Sequence, residues 1–261
     1  MLRYGMALRC QQGHSFDVSR HGYVNLDVGS RSRHNADTAP MVAARQRFLN
    51  HGHYAPIADA VSSFATRFEL EGAGVVLELA GGPGYYLAAV VTSVPASVGI
   101  CMDLSKPALR KAATIHPRVA AIGRDVWQAL PMADGSASIV MSIFGPRNMA
   151  ETVRVLRPGG IFLRVTPTAE HLTELVKDLG MLSVDAAKAQ RLAMAVSDLR
   201  QEHEETLTYQ VMLDHSDIHD LVGMGPSAYH ISPDQLGPRI AALQEALAVT
   251  VSVTVAAYRV R

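Results

Sequence analysis

The chain has 261 residues, of which 48% are hydrophobic and 18% charged, and its 24 basic and 24 acidic side chains balance to a net charge of zero. That composition excludes a generally disordered chain and a protein with a global basic field for nucleic acid, and the length buries roughly 70–75% of the unfolded surface in one main domain with an appendage. Two cysteines, Cys10 and Cys101, are too few for a disulfide scaffold. No run of 18 apolar residues is present, and Met1 to His14 lack the apolar core of a signal peptide, so a cytoplasmic protein with no membrane partner is expected.

Residues 1–35 show no clear periodicity and read as short strands and loops. Residues 1–50 hold seven arginines (Arg3, Arg9, Arg20, Arg31, Arg33, Arg45, Arg47) against three acids (Asp17, Asp27, Asp37). Arginine suits phosphate forks and base stacking, although a solvated basic end explains the surplus equally well. Thr38 and Pro40 predict a helix start, and Met41, Ala44 and Phe48 fall on one face. Pro56 opens a second helix with Ile57, Val61, Phe64 and Phe68 on its buried stripe, ending at Gly72 and Gly74. From there short Val- and Ile-rich runs alternate with helical segments: Val75–Leu79, Val98–Asp103, Ala120–Asp125, Ala137–Phe144 and Ile161–Pro167. The alternation predicts an α/β fold, a parallel sheet with helices on both faces. Thr206–Asp214 and Val249–Val260 instead alternate apolar and polar residues, as half-exposed antiparallel strands do.

The most informative stretch is Val75-Val-Leu-Glu78-Leu-Ala80-Gly-Gly82-Pro83-Gly84. A buried strand ends in an acid, and a turn of small residues opens a helix, letting a ligand approach the backbone. A purely structural turn is the plain alternative. In open α/β sheets nucleotides bind at the carboxyl ends of such strands. Asp103, ending the second strand, is placed for two ribose hydroxyls, unless it only helps cap the helix opening near Ser105 and Pro107. Asp125, with Val126 beside it, is placed for an adenine amino group or is an ordinary loop aspartate. A pyrophosphate favours a helix N-terminus without an acid in the loop, whereas Glu78 suits a cationic amino-acid end. With Val155-Leu-Arg-Pro-Gly-Gly160 before the fifth strand, this loop resembles the S-adenosylmethionine-dependent methyltransferase superfamily. One position departs from it: Ala80 stands where the superfamily usually has glycine.

A closer resemblance runs over nearly the whole chain. Cys10-Gln-Gln-Gly-His14-Ser-Phe-Asp, Gly22-Tyr-Val-Asn-Leu, Met41-Val-Ala-Ala-Arg45, Gly52-His-Tyr54-Ala-Pro56, Asp103-Leu-Ser-Lys-Pro-Ala, Phe144-Gly-Pro-Arg147-Asn and Met224-Gly-Pro-Ser-Ala-Tyr-His230 are similar to the RlmA family of ribosomal large-subunit guanine-N1 methyltransferases, in the branch that includes a tylosin-resistance enzyme. The resemblance implies a Rossmann-like fold with a mostly parallel seven-stranded sheet, residues 1–35 as the remnant of a zinc-binding RNA-recognition module and linker, and residues 36–261 as the methyltransferase domain with its cofactor core at about 70–167. It implies S-adenosylmethionine contacts at Tyr54, Gly82, Pro83 and His171, alongside Glu78, Gly84, Asp103, Asp125 and Val126. It also implies methylation of N1 of guanine-748 in a 23S rRNA hairpin loop, macrolide resistance as a consequence, and a homodimer over one RNA cleft. N1 lies on the Watson–Crick edge, so the base must be unpaired or flipped out. Arg147 is the candidate to polarise O6 of the guanine, and Arg20, Arg31, Arg33, Arg45 and Arg47 are candidate backbone contacts. The family's zinc module has a Cys-x-x-Cys pair before Cys-x3-His. Cys10 and His14 match the second half only, and structural zinc takes four protein ligands. Either an upstream segment supplies the first pair or this chain does without the metal. Two other functions fit parts of the pattern: methylation of a small molecule, and a silent RNA-binding adaptor on the same fold.

Overall fold

A computed structural model describes residues 2–10, 12–27, 34–68, 74–181, 199–231 and 233–260. The sequence readings at Arg31, Arg33 and Gly72 lie outside them. The elements run in chain order as β1 (Leu2–Tyr4), β2 (Ala7–Arg9), β3 (Ser15–Asp17), β4 (Val24–Asn25), α1 (Ala39–Asn50), α2 (Ala55–Arg67), β5 (Val75–Leu79), α3 (Tyr85–Ser93), β6 (Val98–Asp103), α4 (Lys106–Ile115), β7 (Val119–Gly123), β8 (Ala137–Ile143), α5 (Met149–Val155), β9 (Leu156–Pro167), α6 (Thr173–Leu179), β10 (Leu199–Asp214), α7 (His215–Gly223), a short 3-10 turn (Pro226–Tyr229), α8 (Pro233–Ala241) and β11 (Ala246–Val260).

β1, β2 and β3 form a small antiparallel sheet of their own. The remaining strands make one sheet in the order β10-β11-β9-β8-β5-β6-β7-β4. Every pairing from β4 to β9 is parallel, and β11 joins β9 and β10 antiparallel. The expected Rossmann-like sheet is therefore present with one addition. Val24–Asn25 pairs with Ile122–Gly123 and adds an eighth strand from the N-terminal segment. From β5 the chain builds outward to β6 and β7 on one side and to β8 and β9 on the other. This reversal opens a crevice between β5 and β8, the site where such sheets take ligands.

Local chemistry explains the helix starts. Thr38 Oγ1 accepts from the Met41 amide at 3.4 Å with Pro40 in the first turn, and Ser105 Oγ accepts from the Ala108 amide at 3.3 Å with Pro107 in the same role. All seven residues of β8 are buried, as in a central parallel strand covered on both sides. One face of the sheet packs Ile57, Phe64, Leu87 and Leu163 under α1 to α4, and the other packs Leu77, Leu79, Phe162 and Tyr258 beside α5.

Two boundaries differ from the sequence pattern. The Arg157–Gly160 stretch, predicted to be a turn ahead of its strand, is a bulge inside β9: the register jumps from Ala137↔Leu156 to Ile139↔Ile161, and Gly159 takes φ +72. β10 begins at Leu199 rather than Thr206, because its first half, rich in Arg, Glu and His, lies on an exposed edge strand where no apolar alternation is required. No helix among the described residues is long and apolar enough to cross a membrane.

Candidate active site

Three acids meet at the crevice. Glu78, four residues into β5, is 1% exposed, and its Oε2 accepts from the Leu87 amide at 3.2 Å. Burial pushes its pKa up to about 8; the Leu87 amide opposes this and the charge of Asp103 adds to it. Asp103, at the end of β6, accepts from the Gly82 amide at Oδ2 (2.8 Å) and from the Ser105 amide at Oδ1 (2.7 Å). Burial raises its pKa too. Asp125, just past β7 and 2% exposed, takes the Trp127 amide on Oδ1 at 3.0 Å, while His34 Nδ1 stands 3.1 Å from Oδ2. Val126 beside it is buried in the opposite-face core.

The loop between these acids is wound through left-handed backbone at Ala80 (φ +50), Gly82 (φ +56) and Gly84 (φ +81). Ala80 holds, at a cost of about 1–2 kcal/mol, the conformation that glycine adopts freely, so the departure at this position changes the residue and leaves a left-handed turn. A Cβ on Gly81 would lie 2.8 Å from Cys101 Sγ and 2.9 Å from Glu78 Oε2. Pro83 is buried, and Gly84 caps α3.

Three rings stand beside this loop. Tyr54 at the start of α2 is buried, with its ring 5.9 Å from Phe144 and 6.2 Å from His171, and Phe144 stacks on His171 at 5.9 Å. Phe144 takes φ +55 after β8, and the next residue, Gly145, packs against Leu79 O and Ala80. The Ser252 amide donates to His171 Nδ1 at 3.2 Å, which puts the ring proton on Nε2, 3.4 Å from the Tyr54 hydroxyl. Burial drives the His171 pKa down to about 4, so this ring is neutral at physiological pH, and burial also raises that of Tyr54.

The basic residues sort differently from the sequence expectation. Arg45 is no free RNA contact: Nη1 pairs with Asp37, Nη2 donates to Met224 O at 2.6 Å, and Nη1 lies 3.1 Å from where a Cβ on Gly82 would stand. It belongs to the glycine loop. Arg47 is taken up by a two-nitrogen fork on the buried Asp220 (2.6 and 2.8 Å). Arg20 is exposed and touches His21. Arg147 is not brought to the aromatic cluster. Its guanidinium is buried near Arg164 and Tyr258, on the sheet face opposite Tyr54 and Leu172, and burial followed by the Arg164 charge lowers its pKa to about 10. The expected O6 contact is corrected on that ground. Among the described residues, Arg147 Nε and Nη2 and Arg164 Nε and Nη1 find no hydrogen-bond partner.

Cys10 Sγ and His14 Nδ1 are 3.2 Å apart in the turn before β3. Among the described residues no third donor joins them within reach of one ion, so the residues present do not fit a four-ligand zinc site. Sequence reasoning missed Phe144, His34 and Arg45 as parts of the crevice. Phe144 lay inside a quoted motif, whereas nothing in the local sequence links His34 to Asp125, 91 positions away.

The RlmA N-terminal zinc-ribbon family matches residues 1–27, and the methyltransferase domain family matches residues 76–160. A 23S rRNA (guanine(748)-N1)-methyltransferase of Streptomyces fradiae is 44% identical over 249 residues, covering 95% of this chain and 89% of that protein. A candidate 23S rRNA (guanine-N1-)-methyltransferase of Micromonospora griseorubida is 46% identical over 267 residues, covering 97% and 90%. Among solved structures, the methyltransferase chain of a Haloferax volcanii complex with the Trm112 activator superposes with TM-score 0.54 at 16% identity, covering 87% of this chain and 99% of that one. The YcgJ protein of Bacillus subtilis superposes with TM-score 0.53 at 15% identity, covering 78% and 98%. At these identities the two superpositions speak to the fold alone.

Proposed function

The chain belongs to the 23S rRNA (guanine-N1-)-methyltransferase family, and on that premise we propose that it transfers the methyl group of S-adenosylmethionine to N1 of guanine-748 in a 23S rRNA hairpin loop. It is an S-adenosylmethionine-dependent enzyme. The observation that carries the reading is the set of three acids at the carboxyl ends of adjacent strands, Glu78, Asp103 and Asp125, around a left-handed loop that brings bare backbone to a ligand. An acid-lined loop repels a pyrophosphate and receives a cofactor that ends in an ammonium group. The bound cofactor would supply a methyl group already activated on sulfonium: the S–CH3 bond breaks to leave the neutral thioether as the N1–CH3 bond forms, and the N1 proton is lost to water.

Each residue then has a binding or orienting task. Glu78, ionised, answers the cofactor's ammonium group. Arg45, against Gly82, answers its carboxylate. Asp103 spends one lone pair per oxygen on the Gly82 and Ser105 amides and keeps the others for ribose hydroxyls. Asp125 faces the adenine amino group, with His34 and the exposed Trp127 closing over it. Tyr54, Phe144 and the neutral His171 wall the space beside the loop. Phe144, 39% exposed, offers a face on which an unpaired guanine stacks. Holding two reactants in line is the main catalytic contribution such a site makes. Arg20 contacts the RNA backbone, a homodimer forms the RNA cleft, and methylation beside the drug-binding tunnel confers macrolide resistance; these belong to the same proposal.

The test is primer extension across a 23S rRNA fragment incubated with the protein and S-adenosylmethionine. Methylated N1 cannot pair, so a cofactor-dependent stop at guanine-748 is expected. Intact cofactor binding with no stop at any guanine overturns the reading.

A further inference from the structure

The turn that delivers Tyr54 carries a second cluster of chemistry. His51 caps the end of α1, Gly52 reverses the chain at φ +81, and His53 follows. Both imidazoles converge on Asp217 in the first turn of α7. His51 Nδ1 lies 2.6 Å from Oδ1, and His53 Nε2 lies 3.1 Å from Oδ2. One donor atom from each of the three side chains lies within 4.8 Å of the other two. Bonds of about 2.0–2.2 Å to a tetrahedral dication set donor atoms roughly 3.3–3.5 Å apart, so small ring movements close the set around an ion.

The charge balance points the same way. Asp217 is 7% exposed. The contrast with Asp220, one helical turn along, is instructive. That carboxylate is paired with the permanent charge of the Arg47 guanidinium, whereas Asp217 faces two imidazoles and no guanidinium or ammonium group among the described residues. His53 Nε2 is fully enclosed and, although 3.1 Å from Oδ2, makes no properly aligned hydrogen bond among the described residues. It is a buried nitrogen aimed at a carboxylate with nothing between them. His51 is about half exposed, which leaves the cluster open to solvent on one side. The backbone at two of the three residues is tied down: the Tyr209 hydroxyl donates to His53 O at 2.9 Å, and the Asp217 amide donates to Asp214 Oδ1 at 2.8 Å.

We propose that His51, His53 and Asp217 bind one divalent transition-metal cation of the zinc class, with water completing the coordination. Two imidazoles and one carboxylate suit zinc and its neighbours better than calcium or magnesium, which take oxygen sets. The bound ion clamps the α1–α2 turn to α7 and so braces Tyr54, the next residue. The site is separate from Cys10 and His14 and does not depend on the methyl acceptor.

The experiment uses the full chain stripped of metal with a chelator. Cobalt(II) is titrated by its visible absorption, zinc by competition with a chromophoric chelator, and melting is followed with and without zinc. One equivalent per chain is expected, both for the natural chain and for the double variant Cys10→Ser, His14→Ala. Affinity falls at least about tenfold in His51→Gln and in Asp217→Asn, and saturating zinc raises the melting temperature by about 5 °C or more in the natural chain but not in His51→Gln. If Asp217→Asn fails to fold, His51→Gln, at an exposed position, decides alone. Stoichiometric binding that survives His51→Gln, binding that disappears with Cys10 and His14, or no binding overturns the proposal and leaves an ion-paired carboxylate.

Discussion

Around Glu78, four of the five residues of β5 and all seven of β8 are buried, whereas among the described residues from Gly5 to Gly22 none is. The crevice and the N-terminal sheet thus stand on different footings. The crevice is held by the core beneath it, and its loop is fixed by the hydrogen bond from the Gly82 amide to Asp103 and by Gly81 packed on Cys101 and Glu78. β2 and β3 pair through their backbones and bury no side chain of their own, and so small a sheet takes its order from a metal, a partner or the domain it leans on. With Cys10 and His14 as its metal donors, it has half of the usual set. On the proposed reading, the cofactor draws on the large sheet and the helices packed on it, while RNA docking at the N-terminal sheet would draw on a part that buries little of its own.

Asp103 carries the largest expected effect. Replacing it by Ala removes the acceptor of one loop amide, Gly82, and of the Ser105 amide at the start of α4, each worth about 1.5–3 kcal/mol as a bond to a charged group. S-adenosylmethionine affinity is expected to fall about 100-fold by titration calorimetry, with RNA retention on filters unchanged. A loss below threefold would mean that the loop holds its shape without this acid. Glu78 gives the next largest effect. Its pKa is about 8 in the free protein, and a cationic cofactor end takes the ionised form. Cofactor affinity therefore rises with pH, by up to about tenfold per unit below 8. The Glu78→Gln variant should bind weakly with a flat profile from pH 6 to 8. His171 comes third. Its folded pKa of about 4 lies below the unfolded value of 6.5, so the stability it contributes is complete above pH 6.5 and is lost as pH falls through 4. Thermal melts at pH 7, 5 and 4 should show the natural chain losing about 5 °C more than His171→Gln over that range.

Most of the crevice was legible because its chemistry is local. Glu78, the glycine turn and Asp103 each sit at the end of a Val- or Ile-rich run, so period and turn residues locate them without knowledge of the fold. Tyr54 and His171 came from motif likeness alone, since a tyrosine at a helix start and a histidine after a strand have no pattern of their own. The arginines were the poorest guide. Arg45 and Arg47 look alike in sequence, and only the packing of α7 and the loop against α1 commits one to Gly82, Asp37 and Met224 O and the other to Asp220. Arg147 lies three residues past Phe144, yet the chain turns at φ +55 and sends the two side chains to opposite faces of the sheet. The eighth strand was invisible for a similar reason: two residues, Val24 and Asn25, have no period, and their pairing with Ile122 and Gly123 spans about a hundred positions.

In the double variant Cys10→Ser, His14→Ala, S-adenosylmethionine affinity should stay within about twofold of the natural chain and the main melting transition should not move, because neither side chain touches the buried core that shapes the loop. RNA affinity is the quantity that separates the two regions. If the N-terminal sheet presents Arg20 to the phosphate backbone, removing Arg20 by Arg20→Ala should lower the slope of log affinity against log salt by about one. The double variant should weaken RNA binding without changing that slope, because it disturbs the platform and leaves the charge in place. A slope unchanged in Arg20→Ala would move the RNA contact off this sheet. A shift in cofactor affinity in the double variant would show that the two regions are coupled after all, most directly through β4, the strand that ties the N-terminal segment to β7 two residues before Asp125.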